Sequence, residues 1–192
     1  KIFVEATNDR DPKPTQLEVW VPSRVRLWIK TATASIDVSD VTGGLDLYVV
    51  SGTIDVRGHP HGLNAEAIDG DIHVVGSPSW LRAKSATGTI TFQGASSDVG
   101  LSTVSGPIKV DGGVFERTTI ETVTGNITFA GKLDRGGTFD FDTHSGNVEI
   151  GMPDNTGASI SAVTIAGAIT NNLSKHPPIP GRFGRGAELT ME

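Results

Sequence analysis

A short motif that recurs along the chain is the feature that most restricts its fold. In each copy a small residue is followed by Gly, a polar residue, Ile or Val, a second polar residue and a final apolar residue. Six full copies begin at Ser51, Asp69, Thr87, Ser105, Thr124 and Ser145, a variant with Ala in place of Gly begins at Thr33, and a degenerate copy begins at Ala166. Successive copies are 18 residues apart at first and 19 to 21 apart later. A near-constant period of this length is typical of solenoids, in which each repeat forms one structural unit.

Two strand patterns lie within each copy. The motif itself alternates apolar and polar residues, and a second alternation precedes its Gly, as with Leu45, Leu47 and Val49 before Gly52. Alternation with a period of two is typical of a half-buried strand. The motif Gly, and a second Gly six residues later such as Gly58, indicate corners with positive φ or close backbone approach. The sequence therefore predicts an all-β, single-domain β-solenoid of about eight coils, each of roughly 18 to 21 residues with two main strands.

The repeat also divides the chain into segments. We expect an irregular leading strand region over residues 1–23, regular coils over 24–173, a loop over 174–186 and the start of a truncated closing coil over 187–192. Coils stacked about 4.8 Å apart form a rod of about 40 Å in which no coil is stable alone. Because the backbone groups at the ends of such a rod seek partners, we expect either that flanking sequence caps them or that the ends stack on other subunits in head-to-tail self-association.

Composition excludes several classes of protein. The chain has no Cys, which excludes disulfides, a thiolate zinc site and a cysteine nucleophile. Its net charge of −6, with no basic run, argues against nucleic-acid binding. No apolar stretch is long enough for a transmembrane segment. No secretory signal is visible and the sequence opens at Lys1, so a mature form or a fragment is expected.

Two surface features are candidate binding sites. Trp28 and Tyr48 fall at outward positions of adjacent coils, where exposed aromatic residues could stack on a glycan or contact a surface protein; the simpler interpretation is that a segment upstream covers them. His59 and His61 lie in a corner loop and offer two ligands for a transition metal, but a third ligand is needed and a solvated turn is the simpler interpretation. No cofactor is predicted.

Three other activities fit the sequence less well. Calcium-binding β-rolls repeat Gly-Gly-x-Gly-x-Asp at every corner, and only Thr42–Asp46 resembles that pattern. Ice binding needs an uninterrupted Thr array, whereas only the coil at Thr89–Thr91 reads Thr-Ile-Thr. Asp140 and Asp142 lie about 7 Å apart on one strand face, as a glycosidase pair requires, but nearly uniform coils supply no loops to wall a cleft. We therefore predict no catalytic residue and no enzymatic activity.

Several of these sequences resemble one known family. The segments Val19–Pro22, Thr143–Pro153 and Gly184–Glu192, together with the repeated motif, are similar to the bacterial adhesin-like β-strand-repeat family, a domain of unknown function, over roughly residues 15–192. The resemblance implies an exported, non-catalytic β-solenoid that is extracellular, on the cell surface or periplasmic. Members of the family commonly carry a further coil at each end. The family has no catalytic residues to carry over.

These observations favour a non-enzymatic cell-envelope or surface module, adhesin-like, that binds or acts as a scaffold. One alternative is a subunit of a self-assembling rod or filament. Another is the sensing domain of an envelope-stress system, which the resemblance allows because similar repeats occur beside membrane-anchored regulators. A carbohydrate-active enzyme is the least favoured interpretation.

Overall fold

The computed structural model describes residues 16–153, 158–175, 177–180 and 187–191, and every regular element in them is a β-strand. None of the described residues belongs to a helix long and apolar enough to cross a membrane. The strands are β1 (Leu27–Thr31), β2 (Ile36–Ser39), β3 (Gly44–Val49), β4 (Ile54–Gly58), β5 (Gly62–Ala67), β6 (Ile72–Gly76), β7 (Trp80–Ser85), β8 (Ile90–Gly94), β9 (Ser96–Thr103), β10 (Ile108–Thr122), β11 (Ile127–Thr143), β12 (Val148–Gly151), β13 (Ile160–Thr164), β14 (Ile179–Pro180) and β15 (Ala187–Met191).

The strands from β1 to β12 form two walls of parallel strands. The front wall contains β1, β3, β5, β7 and β9, followed by the second halves of β10 and β11. The back wall contains β2, β4, β6 and β8, the first halves of β10 and β11, and β12. In the early turns each residue pairs with the one 18 positions later, such as Leu45 with Leu63 and Ile54 with Ile72. The predicted β-solenoid with two main strands per coil is confirmed, with about seven turns.

The inward side chains of the two walls form one continuous core. The Ile of the motif is almost fully buried in turn after turn, and Leu residues oppose it from the front wall. The buried positions include Ile54, Ile72, Ile90, Ile108 and Ile127 on the back wall and Leu45, Leu63 and Leu81 on the front wall. Full burial of one such side chain stabilises the fold by about 1.5 to 3 kcal/mol, so a core shared between neighbouring turns holds each turn to the next.

Aromatic rings replace part of this aliphatic core in the later turns. Phe115 and Phe129 are fully buried, with ring centroids 5.4 Å apart in an edge-to-face arrangement. Phe139 packs on both of them, and Phe141 packs on Phe129 and Phe139. Edge-to-face pairs add about 0.5 to 1.5 kcal/mol beyond the burial of their surface.

The corner glycines perform the two roles that the sequence indicated, close backbone approach and positive φ. At the motif Gly of later turns, such as Gly70 and Gly88, a Cβ atom would overlap the carbonyl oxygen of the motif Gly one turn earlier. Close backbone approach is therefore what requires Gly there. At the second corner both roles apply. The backbone φ is 130° at Gly58 and 146° at Gly76, values that L side chains rarely adopt, and a Cβ atom at Gly76 would also overlap the Gly58 carbonyl oxygen.

A column of buried hydroxyl groups fixes the turn before each later motif Gly. Ser85 accepts the Gly88 N–H at 3.0 Å and donates to the Gly70 carbonyl at 2.9 Å. Thr122 accepts the Gly125 N–H at 2.9 Å, and its Oγ1 lies 2.9 Å from that of Thr103. These bonds satisfy backbone groups that would otherwise be buried without a partner at the corner.

The chain after β12 leaves the stack. There β15 pairs antiparallel with β13 and β14 in a separate three-stranded sheet, so Ala187–Met191 does not begin another coil. Strand β14 falls inside the segment expected to be a loop.

The degenerate motif copy contributes no strand to either wall, so the stack has one turn fewer than the number of motif copies. In that copy Asn171 stands where the others have an inward apolar residue, and its side chain instead accepts the Leu173 N–H at 3.0 Å. Of the other expected boundaries, residues 16–23 contain no strand, while 1–15, 181–186 and 192 lie outside the described residues.

We predict that Gly88→Ala lowers the free energy of unfolding by about 3 kcal/mol, because its methyl group would overlap the backbone of Gly70. Gly44→Ala is the matched control, since its methyl group would meet only the Arg26 side chain, at 3.5 Å or more, and the backbone there has no positive φ. Urea denaturation followed by far-UV circular dichroism measures both variants. Equal stability of the two would contradict the close stacking of the corners.

Thr118 and Thr122 provide a second test within one strand. Both face the core from β10, but the Thr118 hydroxyl is buried with no hydrogen-bond partner among the described residues. Thr118→Val keeps the shape and removes the unsatisfied hydroxyl, so we expect a gain of about 1 kcal/mol. Thr122→Val leaves the Gly125 N–H without its acceptor, and we expect a loss of about 1 to 2 kcal/mol. Thermal and urea unfolding should shift in opposite directions for the two variants, and shifts of the same sign would count against this assignment.

Candidate functional site

The outward side chains of the front wall form a regular grid, with three positions in each turn. Because the strands are in register, equivalent positions of successive turns lie in columns along the stack. The grid over the first four turns consists of Arg26, Trp28 and Lys30, then Gly44, Asp46 and Tyr48, then Gly62, Asn64 and Glu66, then Trp80, Arg82 and Lys84. Aromatic, charged and amide side chains therefore share one exposed face.

The structure brings the two predicted aromatic residues together. Trp28 is 63% exposed on β1, and Tyr48 is half-buried on β3 in the next turn. Their ring centroids are 6.3 Å apart with planes tilted by 50°. The Asn64 amide donates a 3.0 Å hydrogen bond to the Tyr48 hydroxyl, which fixes that ring from the third turn. The pair is an exposed aromatic surface held on rigid strands.

A groove lies beside this pair, in the first column of the grid. It has a volume of about 240 Å³ and is lined by Arg26, Asp46, His61 and Trp80, with glycines along its floor. The Trp80 ring lies across Gly62, where any Cβ would overlap it. Sequence reasoning missed Trp80 and this groove. The 18-residue repeat could have indicated the groove, because it places Gly44, Gly62 and Trp80 in one column.

The guanidinium groups near the groove are paired with carboxylates. Arg26 donates from Nε at 3.0 Å and from a terminal nitrogen at 2.8 Å to the same oxygen, Oδ2, of Asp46. Arg82 donates at 2.7 Å to Asp98 Oδ2. The Arg26 side chain is 78% exposed, so this pair adds little to stability. The ion pair instead orients the two side chains, because it holds the Arg26 guanidinium group and the Asp46 carboxylate side by side along the groove.

The two predicted metal-ligand candidates have different surroundings. The Nδ1 atom of His59 is 2.6 Å from the Ser77 hydroxyl in the following turn. The side chain of His61 lines the groove beside Trp80, and its backbone N–H bonds to the carbonyl groups of Thr42 and Gly43. Within the described ranges no group of three or more His, Asp or Glu side chains is placed to hold a metal ion. The third ligand that this hypothesis requires is therefore not among those residues.

The other two candidate surfaces are open and present no outward-facing Trp, Tyr or Phe side chain. A depression of about 350 Å³ on the back wall is lined by Asp55, Arg57, His73, Thr91 and neighbouring residues. The pair considered for glycoside hydrolysis, Asp140 and Asp142, is exposed on the seventh turn of the front wall. Neither surface presents a Trp, Tyr or Phe ring beside its polar groups as the early front wall does.

Fold and site together define the chain as a β-solenoid repeat protein with an aromatic and polar face on its first four turns. Comparison with protein-family models, curated proteins and solved structures finds no match. The resemblance to the adhesin-like β-strand-repeat family stays a prediction from the sequence.

Proposed function

We propose that this chain is a non-enzymatic binding module of the cell envelope or cell surface, adhesin-like, in which the solenoid is a rigid scaffold and the front wall holds the ligand. The observation that carries the proposal is the exposed Trp28–Tyr48 pair, with hydrogen-bonding side chains in the adjoining positions of the grid. Aromatic surface that stays exposed and is bordered by polar groups is characteristic of binding sites.

The rigidity of the wall supports this proposal. Tyr48 is fixed by Asn64, and its strand β3 is paired with β5 over its whole length and with β1 from Leu45 to Val49. Binding to side chains that are already ordered avoids part of the entropy lost on association. The ligand class that fits an open, elongated face is a polymer, either a glycan or an extended surface protein.

The non-enzymatic part of the proposal is supported by the uniform turns. Catalysis benefits from a site that excludes water, and such sites are usually concave and walled. The front-wall groove lies on the open face of the sheet and is bordered by residues of strands and short corners, with no long loop among its lining residues. The envelope location rests on the sequence resemblance alone.

We predict that the double variant Trp28→Ala/Tyr48→Ala binds intact bacterial cells or their extracted envelope glycans at least tenfold more weakly than the unmodified chain, because it removes the aromatic surface. Val75→Ala, which shortens an exposed apolar side chain of the back wall, is the matched control and should bind normally. Biolayer interferometry on immobilised cells and glycans measures all three proteins. Undiminished binding by the double variant would refute a front-wall site.

The same purified protein distinguishes the alternative functions. A filament subunit would show a sedimentation coefficient that rises with protein concentration, whereas a monomeric binding module would not. Release of reducing sugar from a bound glycan, lost in Asp140→Asn/Asp142→Asn, would favour the carbohydrate-active enzyme instead.

A further inference from the structure

We propose that the groove between Arg26 and Trp80 binds neutral pyranose units of a linear polysaccharide, and that it continues the site that begins at Trp28 and Tyr48. This inference rests on the proposed function, because it names the ligand class of the same wall. The shape of the groove, the chemistry of its lining, its charge and the pairing of its strands support it.

The shape suits a flat ring. Two successive turns contribute Gly44 and Gly62 to the first column, and the Trp80 ring covers Gly62, so the groove floor is bare at Gly44, over about 5 Å along the stack. At one end stands Trp80, which lies across Gly62 and remains 36% exposed. The C–H face of a pyranose ring is apolar and packs on an indole, as other apolar groups do. The groove lies on the exposed face of the wall beside the columns of Trp28 and Tyr48, so a bound chain can continue past the site across these columns.

The lining also offers hydrogen bonds to hydroxyl groups. Both bonding nitrogens of Arg26 reach Oδ2 of Asp46, and the other oxygen, Oδ1, accepts no hydrogen bond from the described residues. A free carboxylate oxygen beside a guanidinium group offers an acceptor and donors at adjacent positions. Neighbouring hydroxyl groups of a sugar present the complementary pattern.

Charge favours a neutral polymer over an acidic one. The guanidinium groups of Arg26 and Arg82 are each paired with a carboxylate of an adjacent turn, so neither is an isolated positive charge. The chain as a whole carries a net charge of −6, which repels polyanions. A neutral polysaccharide is recognised by ring stacking and by hydrogen bonds to its hydroxyl groups, so its binding does not need an unpaired charge in the groove.

Strand pairing argues against a peptide that adds to the sheet. An extended peptide commonly binds by hydrogen bonding to a free strand edge. The groove lies on the face of the sheet, and β3 and β5 beneath it each have a parallel neighbour on both sides. Recognition there depends on side chains alone, which suits a glycan.

The test measures binding of soluble neutral polysaccharides (a mixed-linkage β-glucan, a galactomannan and an arabinoxylan) and of one acidic polymer, polygalacturonate. Affinity gel electrophoresis and biolayer interferometry are run at low and high salt. We expect retardation by at least one neutral polymer, with affinity unchanged by salt. We expect Trp80→Ala to weaken binding at least tenfold and Val75→Ala to leave it unchanged.

Two further variants separate loss of the site from loss of the fold. Arg26→Ala alters an exposed side chain, so we expect normal circular dichroism with binding weakened severalfold. Gly62→Ala keeps every chemical group of the groove but displaces the Trp80 ring, and we expect binding to fall by a similar factor to Trp80→Ala.

Each other outcome overturns the inference in a distinguishable way. If the Trp28→Ala/Tyr48→Ala variant loses binding but Trp80→Ala and Gly62→Ala retain it, the groove is refuted while the proposed function stands. Salt-sensitive binding of polygalacturonate alone refutes the neutral ligand. If no polysaccharide binds while intact cells still do, through Trp28 and Tyr48, the ligand is a surface protein. If neither polysaccharides nor cells bind, both this inference and the proposed function fail.

Discussion

The close contact between corner glycines of successive turns is the constraint on which the rest of the structure depends. Since the backbone of Gly88 lies against that of Gly70, and Gly106 against Gly88, the turns cannot slip relative to one another without a steric clash. This contact fixes the register of successive turns, in the copies 18 residues apart and in the later, longer ones, and the register in turn places like residues in columns. The Ile column of the core and the grid of the front wall are both consequences of it.

A regular stack makes the exceptions informative. Within the first column of the front wall, Gly44 and Gly62 are followed by Trp80, and that change creates the groove. Inside the core, Thr118 takes a position that Leu or Val occupies in earlier turns, and its hydroxyl is the one buried side-chain polar atom without a partner in the described part of the chain. The change to Trp80 suits ligand binding, whereas the unpaired hydroxyl of Thr118 destabilises the fold. In such a protein a binding site is therefore expected at a position where a column changes its residue type.

Much of this architecture could be predicted from the sequence, and the reasons are physical. Period-two alternation determined which residues face inward, so the burial of Ile54 and the outward position of Trp28 and Tyr48 followed directly. The antiparallel sheet of β13 and β15 could not be predicted in this way, because its strands are joined by a long connection with no repeat to fix their pairing. The groove depends on the direction in which the Trp80 ring lies, and only the packing over Gly62 determines that direction. The different surroundings of His59 and His61 likewise depend on neighbours in other turns.

The most direct test of the central claim is a distance between two turns that are far apart in the stack. Asp37 and Thr128 lie in the same outward column of the back wall, five turns apart. The chain has no Cys, so Asp37→Cys/Thr128→Cys can be spin-labelled at these two positions alone and measured by double electron–electron resonance. In-register stacking predicts a narrow distribution centred near about 24 Å. A broad distribution, or one centred well above about 35 Å, would contradict a stack of in-register turns.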